Sequence, residues 1–456
     1  MGIKGLSSAI KKSSCAVSEK PLIAYSGSTI AIDSEILVYK YKAYSNKQTD
    51  YDPNIYHLYA FLNNAISYLK NNIIPIYIFD GGKIPKTKQE NCLAKRYEIK
   101  EKTRIRINDL ENKFLEKCAE KSQDILNDDK INKYLASSET LDLLDQLLKV
   151  HNNNPVITKE YRASCKYFLK LLGLPVIVSN GEAEVVCVKL VKNKLADYVF
   201  TEDSDSIVYG LSIDRSIDRD VSILKKSENG SDILEISSKK VLESLGLHSV
   251  DEFVDYCILS GCDYCPTIPR IGPITALKII KEYKSIEKYI TEKSLDSKVL
   301  EEFKYVEARN VFFNPQVSID DIGSLTVKEP DLINLKKFLE VEKKINSNSI
   351  IFKWSKAIEE YKKITGLVLE KPFQMLELSM FEQTLEPMLE PMLEPIKEID
   401  DKNIENSKDL EIKELKVKVK EKYKYKNQNQ NQNQKHISLK KIKYKTNYVT
   451  IDMFRL

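Results

Sequence analysis

The sequence predicts an α/β fold with a mostly parallel central sheet flanked by helices. Short apolar runs typical of buried strands alternate with longer segments in which apolar residues recur every three or four positions. The strand-like runs lie at residues 28–32, 75–79, 175–178, 197–200 and 222–224. The helical patterns lie at about residues 54–72, 93–120, 139–150, 158–172 and 182–195. A sheet of this kind places its binding site beyond the carboxyl ends of the strands.

Acidic side chains stand at the carboxyl ends of three predicted strands. Asp33 follows one apolar run, Asp80 follows the run at 76–79, and Asp203 follows the run that ends at Phe200. Asp205 is two residues further on, so it points the same way as Asp203 on an extended segment. Like charges this close resist joint ionisation unless a cation neutralises them, and a hard divalent cation commonly does so. Each acid alone is also explained as a turn residue or a helix cap, but together they favour a metal site.

Three more acids lie in comparable settings. Glu182 and Glu184 open a predicted helix, where acids also complement the helix dipole, and that plainer explanation accounts for the pair equally well. Asp263 follows the apolar end of another helical pattern. The seven acids come from five segments of the chain, which indicates a two-metal site of the kind that catalyses phosphodiester chemistry.

The charge distribution points to a polyanionic partner. The net charge is +4, but the acids concentrate at the predicted site while Lys and Arg populate the helices and the C-terminal region. No apolar run approaches the ~20 residues of a membrane span, and no charged-then-apolar signal opens the chain, so we expect no membrane partner and no secretion. The eight scattered cysteines suggest reduced thiols, as in a cytosolic or nuclear protein.

Two further segments carry features of nucleic-acid binding. Residues 83–155 are highly charged, and Arg96, Lys100 and Arg104 share one helix face, although a solvated face is the plainer alternative. Residues 239–290 have a helical pattern with a connector that ends in Gly272-Pro273. A helix–turn–helix of this kind leads into a helix N-terminus whose N–H groups seat phosphate, although a plain helix connection explains it as well.

The C-terminal region differs in composition. Leu-Glu-Pro triplets recur at 385, 389 and 393, Asn and Gln alternate at 427–434, and lysine dominates from Lys413 onward. Such segments are typical of disorder. A Lys-rich tail tethers nucleic acid, serves as a nuclear address, or is only solvated.

Taken together, these segments resemble the flap endonuclease branch of the XPG-type structure-specific 5′ nuclease family. Each motif alone is weak, but the ordered set, which covers roughly residues 1–365, is highly specific. The motifs are Met1-Gly2-Ile3-Lys4-Gly5-Leu6, Ala31-Ile32-Asp33, residues 76–81 with Pro85, Leu93-Ala94-Lys95-Arg96, Gly181-Glu182-Ala183-Glu184, Thr201-Glu202-Asp203-Ser204-Asp205, and Leu259-Ser260-Gly261-Cys262-Asp263-Tyr264 followed by Ile271-Gly272-Pro273.

The resemblance implies a metal centre that binds two Mg²⁺, with Mn²⁺ as a substitute. The implied ligands are Asp33, Asp80, Glu182, Glu184, Asp203, Asp205 and Asp263. It also implies a helical arch, built from the charged segment at 83–155, through which a single-stranded flap threads. Arg96 at the base of the arch then contacts the scissile phosphate, and Lys88 is the nearest candidate for a second arch-base cation.

The resemblance also implies DNA contacts outside the metal centre. Tyr39 matches the aromatic residue on which a base stacks, and Gly2 lies near the site once Met1 is removed. Lys100 and Arg104 would face the phosphate backbone from the arch. The helix–turn–helix, of the H2TH type, would hold the intact strand through a monovalent cation near Gly272. Arg270 replaces a glycine that is usual in this turn, which puts the cation seat in doubt and offers a direct phosphate contact instead.

The predicted organisation follows from these motifs. Residues 1–100 form an N-terminal nuclease region, 83–155 the arch, 156–325 an internal nuclease region, 326–365 helices that complete the core, and 366–456 the disordered tail. The charged segment is longer than in the usual flap endonuclease. The patch at 447–454 is at best a degenerate version of a sliding-clamp peptide.

The predicted function is hydrolysis of DNA at 5′ flaps and free 5′ ends in replication or repair. We expect a monomer that acts in the nucleus or at another site of DNA replication, such as a viral factory. The alternatives are a related nuclease that acts on bubbles, junctions or RNA, and a DNA-binding scaffold without catalytic activity.

Overall fold

The structure, a computed structural model, describes residues 2–11, 15–45, 52, 55–81, 98–99, 101–113, 142–143, 146, 150, 157–228, 230, 232–294, 297–319 and 322–371. Three predicted arch cations, Lys88, Arg96 and Lys100, lie outside these residues, as does the tail after 371. The chain divides into two units, Met1–Pro372 and Phe373–Leu456, and every element described here belongs to the first.

The secondary structure follows the alternation of strands and helices that the sequence predicts. The strands are β1 Val17–Pro21, β2 Thr29–Asp33, β3 Ile74–Phe79, β4 Val176–Val178, β5 Tyr198–Phe200, β6 Ser222–Lys226 and β7 Asp232–Ser237. The helices are α1 Leu6–Lys11, α2 Ser34–Ser45, α3 Tyr56–Lys70, α4 Lys159–Leu171, α5 Ala183–Lys192, α6 Asp205–Ser212, α7 Ser238–Ser244, α8 Val250–Ser260, α9 Pro273–Tyr283, α10 Ile286–Lys293, α11 Ser297–Glu302, α12 Tyr305–Phe313, α13 Leu332–Lys337 and α14 Asn348–Thr365. A short 3₁₀ turn at Leu22–Tyr25 and a π-helical turn at Phe338–Glu342 complete the described elements.

The seven-stranded sheet confirms the predicted α/β class. Its strand order is β1-β7-β6-β5-β2-β3-β4, and the pairs from β6 to β4 are parallel. β7 and β1 add an antiparallel edge that the sequence did not predict. β1 was missed because its residues, Val-Ser-Glu-Lys-Pro, are mostly polar and exposed. Charged residues and proline are common on edge strands because they discourage pairing with other chains.

The core lies on both faces of the sheet because successive strand residues point to opposite sides. On one face, Ala31, Ile76 and Val199 pack with apolar residues of α5, α6, α8 and α9. On the other face, Ile32 and Phe79 pack with apolar residues of α3, α4 and α14. Such a sheet, buried on both faces, is rigid enough to fix the side chains that leave its carboxyl edge.

Strand register brings the predicted acids to that edge. Ile32 pairs with Phe200 in β5 and with Tyr77 in β3, so β2, β3 and β5 end at nearly the same level. Asp33 is the last residue of β2, and Asp80 follows β3 directly. Asp203 and Asp205 follow β5 within one short loop. Parallel pairing therefore places three separate chain segments at one site, as the sequence predicted.

Candidate metal centre and active site

The loop after β5 is tied to the end of β2 through Thr201. The Thr201 hydroxyl donates to Asp33 Oδ2 at 2.8 Å and accepts a hydrogen bond from the backbone N–H of Asp203 at 3.1 Å. The backbone N–H of Asp205 in turn donates to Asp203 Oδ1 at 3.1 Å. Asp33, Asp203 and Asp205 are all at most 5% exposed. Buried carboxylates are rare unless they are paired or bind a cation, so this loop has the character of a binding site.

The chain's N-terminal segment packs directly against this loop. A Cβ atom at Gly2 would lie 2.2 Å from Asp203 Oδ1 and 2.9 Å from Asp205 Oδ1, so both oxygens surround the same point. Gly2 also has a φ of +82°, which side chains rarely adopt. The backbone N–H of Ile3 donates to Ser204 Oγ at 2.9 Å. The predicted position of Gly2 beside the acids therefore has a steric basis.

The same segment continues to the helix–turn–helix. The backbone N–H of Lys4 donates to the carbonyl of Gly261 at 2.9 Å. A Cβ at Gly5 would lie 2.4 Å from Pro273 Cγ, so the chain passes tightly against the start of α9. Residues 2–5 thus connect the acidic loop with both helices of the helix–turn–helix.

Glu182 is held by two buried tyrosines. It is the N-cap residue of α5, but its side chain makes no capping hydrogen bond. The Tyr264 hydroxyl donates to Glu182 Oε2 at 3.0 Å, and the Tyr209 hydroxyl lies 3.4 Å from the same oxygen and 2.7 Å from the Tyr264 hydroxyl. The helix-dipole explanation for Glu182 is therefore weaker than the sequence allowed.

Asp80 and Glu184 both lie at the first turn of α5. Asp80 Oδ1 accepts a hydrogen bond from the backbone N–H of Ala183 at 2.8 Å, so Asp80 caps α5 across the sheet edge. Glu184 is 7% exposed and lies in the first turn of that helix. Asp80 is exposed and Asp263 is half-buried, whereas the other five acids are buried.

Several of the acids influence one another's neighbourhood electrostatically. Burial raises the pKa of Asp33 to about 7, and the charges of Asp80 and Asp203 act in the same direction. Burial also raises the pKa of Tyr264, with further upward contributions from Tyr209 and from Glu182, Asp205 and Glu184. Carboxylates that disfavour one another's ionisation are stabilised by a divalent cation, because the cation neutralises the charge that burial makes costly.

The donor set suits a hard cation. Among the described residues, no three His, Cys, Asp or Glu side chains are grouped as direct ligands of one ion. Mg²⁺ usually keeps several waters and takes only one or two carboxylates directly, so separated acids fit it better than they fit a closed zinc site. The all-oxygen chemistry and burial of the cluster therefore fit Mg²⁺ or Mn²⁺.

Sequence reasoning missed the residues that support the acids. Tyr209 lies four residues after Asp205 on α6, and Tyr264 directly follows Asp263. The spacing of four, which places two side chains on one helix face, is a signal that could have identified Tyr209. Lys225 was also missed: its ammonium donates to the carbonyl of Glu202 at 3.2 Å, and Lys40 bonds the Glu202 carboxylate at 2.6 Å.

The predicted DNA-contact residues that the structure describes lie on separate segments of the chain. Tyr39 lies on α2 with 41% of its surface exposed. Arg104 is exposed, and its guanidinium is bonded to Glu101 at 2.6 Å and 3.0 Å. In the helix–turn–helix, Arg270 is exposed with a φ of 66°, a region that favours glycine, while Gly272 is the N-cap of α9. The glycine absent from position 270 is therefore replaced by an arginine in a glycine-like conformation.

Comparison with known proteins identifies the family. The model of the XPG N-terminal domain matches residues 1–103, and the model of the XPG I-region matches residues 173–263. Flap endonuclease 1 of Entamoeba histolytica is 33% identical over 80% of this chain and 88% of its own length. The chain belongs to the flap endonuclease branch of the XPG family. It is a structure-specific 5′ nuclease.

A second curated relative and two solved structures extend the comparison. Flap endonuclease 1-A of Oryza sativa subsp. japonica is 32% identical over 79% of this nuclease and 87% of its own length. Flap endonuclease-1 from Methanococcus jannaschii shares the fold with a TM-score of 0.50 and 20% identity, over 76% of this chain and 97% of its own. The catalytic core of Rad2 in complex with DNA substrate matches with a TM-score of 0.52 and 17% identity, over 77% and 100% of the two chains.

The described helices of this nuclease include none long and apolar enough to cross a membrane.

Proposed function

We propose that this nuclease hydrolyses DNA phosphodiester bonds at 5′ flaps and free 5′ ends, with two Mg²⁺ held by the seven acids at the carboxyl edge of the sheet. The observation that carries the proposal is the burial of five carboxylates from three chain segments that end at one edge of the sheet, two of which, Asp203 and Asp205, surround Gly2. The relatives named flap endonuclease support the choice of substrate. Buried acids in such number are costly without cations, which gives the cluster a chemical rather than a structural purpose.

The chain's own residues prepare the site for this chemistry. The chemistry supplied by bound Mg²⁺ is activation of a water molecule and neutralisation of charge on the leaving oxygen. Thr201 orients Asp33, and the two tyrosines orient Glu182. Arg96 and Lys88 would hold the scissile phosphate by charge-assisted hydrogen bonds from the arch, outside the described residues.

Recognition of the DNA would come from its shape and free end. We assign Tyr39 to base stacking, and Lys100 and Arg104 to the phosphates of the threaded strand. The helix–turn–helix would hold the intact strand either through a monovalent cation near Gly272 or directly through Arg270. Replacing Arg270 with glycine distinguishes the two modes of binding the intact strand. The variant lacks the guanidinium of Arg270 and no longer has the backbone strain at a φ of 66°. If Arg270 contacts phosphate, Arg270→Gly weakens DNA binding while it stabilises the fold.

The direct experiment compares the wild type with Asp205→Ala on a 5′-flap duplex in Mg²⁺. We expect the variant to lose cleavage and retain DNA binding, because the basic surface carries affinity. Asp251→Ala is the matched control, since Asp251 is an exposed acid paired with Arg215 away from the cluster. Equal cleavage by wild type and Asp205→Ala, or no cleavage by the wild type in Mg²⁺ or Mn²⁺, would contradict the proposal.

A panel of flap, nicked, bubble, four-way-junction and RNA substrates tests the preference for flaps. We expect the highest kcat/KM for the 5′ flap, because a free end can thread through an arch whereas a junction has none. If kcat/KM is higher for the bubble, the junction or RNA than for the 5′ flap, the preferred substrate is that structure and not the flap.

We also propose that the nuclease acts as a monomer in the nucleus, or at another site of DNA replication such as a viral factory. The lysine-rich tail after Lys413 supports a nuclear address, and the patch at 447–454 is a degenerate candidate for binding a sliding clamp. Fluorescence imaging of the tagged protein with and without residues 413–456 tests this nuclear targeting, and we expect the shortened chain to lose its nuclear accumulation. Loss of clamp binding on Phe454→Ala tests the patch.

A further inference from the structure

Arg162 on α4 lies beside the exposed aromatic ring of Tyr39 on α2. The centre of its guanidinium is 5.9 Å from the ring centroid, and its terminal nitrogen is 3.5 Å from the Tyr39 hydroxyl. The Tyr39 surface is 41% exposed, and the Arg162 side chain is 31% exposed. An arginine beside an accessible aromatic ring presents a cation and a stacking surface at one place.

Arg162 is anchored from beneath by a buried acid. Its Nε donates to Glu35 Oε2 at 3.0 Å, and Glu35 is 8% exposed, two residues after Asp33. Among the described residues, the hydrogen-bond partners of Arg162 are Glu35 and Tyr39. The contact to Tyr39 is at the limit of a hydrogen bond, so the described residues occupy only a minority of the five N–H donors of the guanidinium.

A second cation lies one helical turn further along α4. Lys166 lies four residues after Arg162, hence on the same face of α4, and its ammonium is 5.9 Å from the ring centroid of Phe79. Phe79 is the residue before Asp80. Burial lowers the pKa of Lys166, while nearby Glu35 raises it and Arg162 lowers it further. Two cations beside the single carboxylate of Glu35 leave an excess of positive charge on this face of α4.

We propose that Arg162, supported by Lys166, binds one phosphate of the DNA substrate, next to the nucleotide whose base lies on Tyr39. This inference rests on the proposed function, because it assigns a subsite of the same active site. A guanidinium that is anchored at Nε presents its other N–H groups as a planar fork, which matches the oxygens of a phosphate. Glu35 and Tyr39 lie on α2, the helix that begins directly after Asp33, so the ring and the guanidinium belong to the element next to the acidic edge of the sheet.

The salt dependence of DNA binding tests the subsite. Binding of a 5′-flap duplex is measured in EDTA, where no cleavage occurs, across a range of KCl concentrations. Arg162→Gln should lower the slope of log affinity against log salt by about 0.7–0.9, the value of one lost phosphate contact. Arg215→Gln is the matched control, because Arg215 also pairs with a carboxylate at 3.0 Å and lies 4.8 Å from a phenylalanine ring, but far along the chain. It should leave the slope unchanged.

A chemically neutral phosphate locates the contact without relying on any variant. Single methylphosphonate substitutions are placed in turn near the 5′ end of the duplex strand. One position should weaken binding by the wild type by about tenfold and should not weaken binding by Arg162→Gln further. If every position weakens the two proteins equally, Arg162 contacts no phosphate and the inference is wrong.

A second variant distinguishes a lost phosphate contact from misfolding of Arg162→Gln. Arg162→Gln leaves Glu35 buried without its cation, so Glu35→Gln/Arg162→Gln removes both charges, and thermal unfolding reports whether either protein folds. The double variant should show the same loss of slope as Arg162→Gln, whereas Arg162→Lys should restore it. If the wild type neither binds nor cuts flap DNA, the proposed function is wrong. If the wild type cuts flap DNA but Arg162→Gln has the same salt slope as the wild type, only this inference is wrong.

Discussion

At Gly2 the main chain passes so close to the carboxylates of Asp203 and Asp205 that there is no space for a methyl group. Its φ of +82° adds a conformational requirement to the steric one. Both constraints act on a residue that is far from the acids in sequence. A single atom at this position would therefore displace the loop that carries two ligands of the proposed metal centre.

We expect Gly2→Ala to reduce cleavage strongly, because its Cβ would lie 2.2 Å from Asp203 Oδ1. Gly230→Ala is the control, since Gly230 has a φ of +76° but no atom within 4 Å of a new Cβ. Both variants should lose about 1–2 kcal/mol of unfolding free energy to the backbone conformation. Only Gly2→Ala should change the cleavage rate measured on a 5′ flap; equal rates for the two variants would show that the close approach is unimportant.

The tyrosine pair acts on a single carboxylate. Tyr264→Phe removes the hydrogen bond at 3.0 Å to Glu182, and Tyr209→Phe removes the partner hydroxyl at 2.7 Å. Loss of residues that orient a metal ligand typically costs about 10–100-fold in metal affinity. We expect each variant to need at least about tenfold more Mg²⁺ for half-maximal cleavage, and to bind Mn²⁺ correspondingly more weakly by electron paramagnetic resonance.

Tyr256→Phe is the control for this pair, because Tyr256 is also buried on α8 but lies outside the Glu182 network. An unchanged Mg²⁺ requirement in Tyr264→Phe, with its fold intact, would show that the tyrosines only fill space.

Between elements, the helices around the helix–turn–helix are joined by a buried ion pair. Arg309 on α12 bonds both oxygens of Asp255 on α8 at 2.7 Å and 2.9 Å, and Asp255 also accepts from the backbone N–H of Ile286 at the start of α10. Asp255 is 2% exposed. Three helices therefore meet at one carboxylate, whose charge must be compensated.

Arg309→Met should reduce the unfolding free energy by about 3–5 kcal/mol, because it leaves the Asp255 charge buried and unpaired. Arg215→Met breaks an exposed ion pair and should cost less than about 1 kcal/mol. Urea unfolding of the two variants measures the difference. Similar losses would mean that Asp255 finds another partner or water.

The interface of α3 and α4 contains a buried histidine. His57 is 1% exposed, its Nε2 lies 3.1 Å from Ser164 Oγ, and its ring centroid is 4.1 Å from that of Tyr161. Burial lowers the pKa of His57 from 6.5 to about 3, with Lys343 and Lys42 acting in the same direction. The neutral ring is therefore part of the folded packing.

The pH dependence follows from this shift. Between pH 6.5 and 3 the unfolded chain binds a proton at His57 that the folded chain does not. The contribution of His57 to the free energy of unfolding is therefore complete at neutral pH and is lost as the pH falls. The loss should approach about 1.4 kcal/mol per pH unit. His57→Asn should flatten the stability profile between pH 6.5 and 4, whereas His248→Asn, at an exposed position, should not. Parallel profiles for all three proteins would contradict the assignment.

At the scale of the whole molecule, we expect catalysis and non-specific DNA affinity to depend on different parts of the chain. Every described element and the whole acidic cluster lie within residues 2–371, whereas the lysine-rich segment begins at Lys413. A chain that ends at Lys371 should keep its cleavage rate at saturating DNA. It should bind DNA more weakly, with a smaller salt slope, because it lacks cations that displace counterions. An unchanged slope would indicate that the tail is only solvated.

The sequence by itself determined the α/β class and the five parallel strands, because apolar runs are local signals, whereas its choice of metal-binding acids stays a prediction. It failed at β1, whose polar residues are typical of an edge strand, and at β7, an apolar strand between β1 and β6 that was not recognised before its pairing was known. Local patterns could not distinguish a helix cap from a metal ligand at Glu182.

Only the tertiary structure decided how the acids are supported. Gly2, Thr201, Tyr209 and Tyr264 act on carboxylates that are distant in sequence or on another element, and no periodicity in one segment encodes such contacts. The pairing of Arg162 with Glu35 and Tyr39 likewise joins residues more than a hundred positions apart. The physical reason is that local sequence sets which groups leave the sheet, whereas packing of separate elements sets their distances, burial and charge.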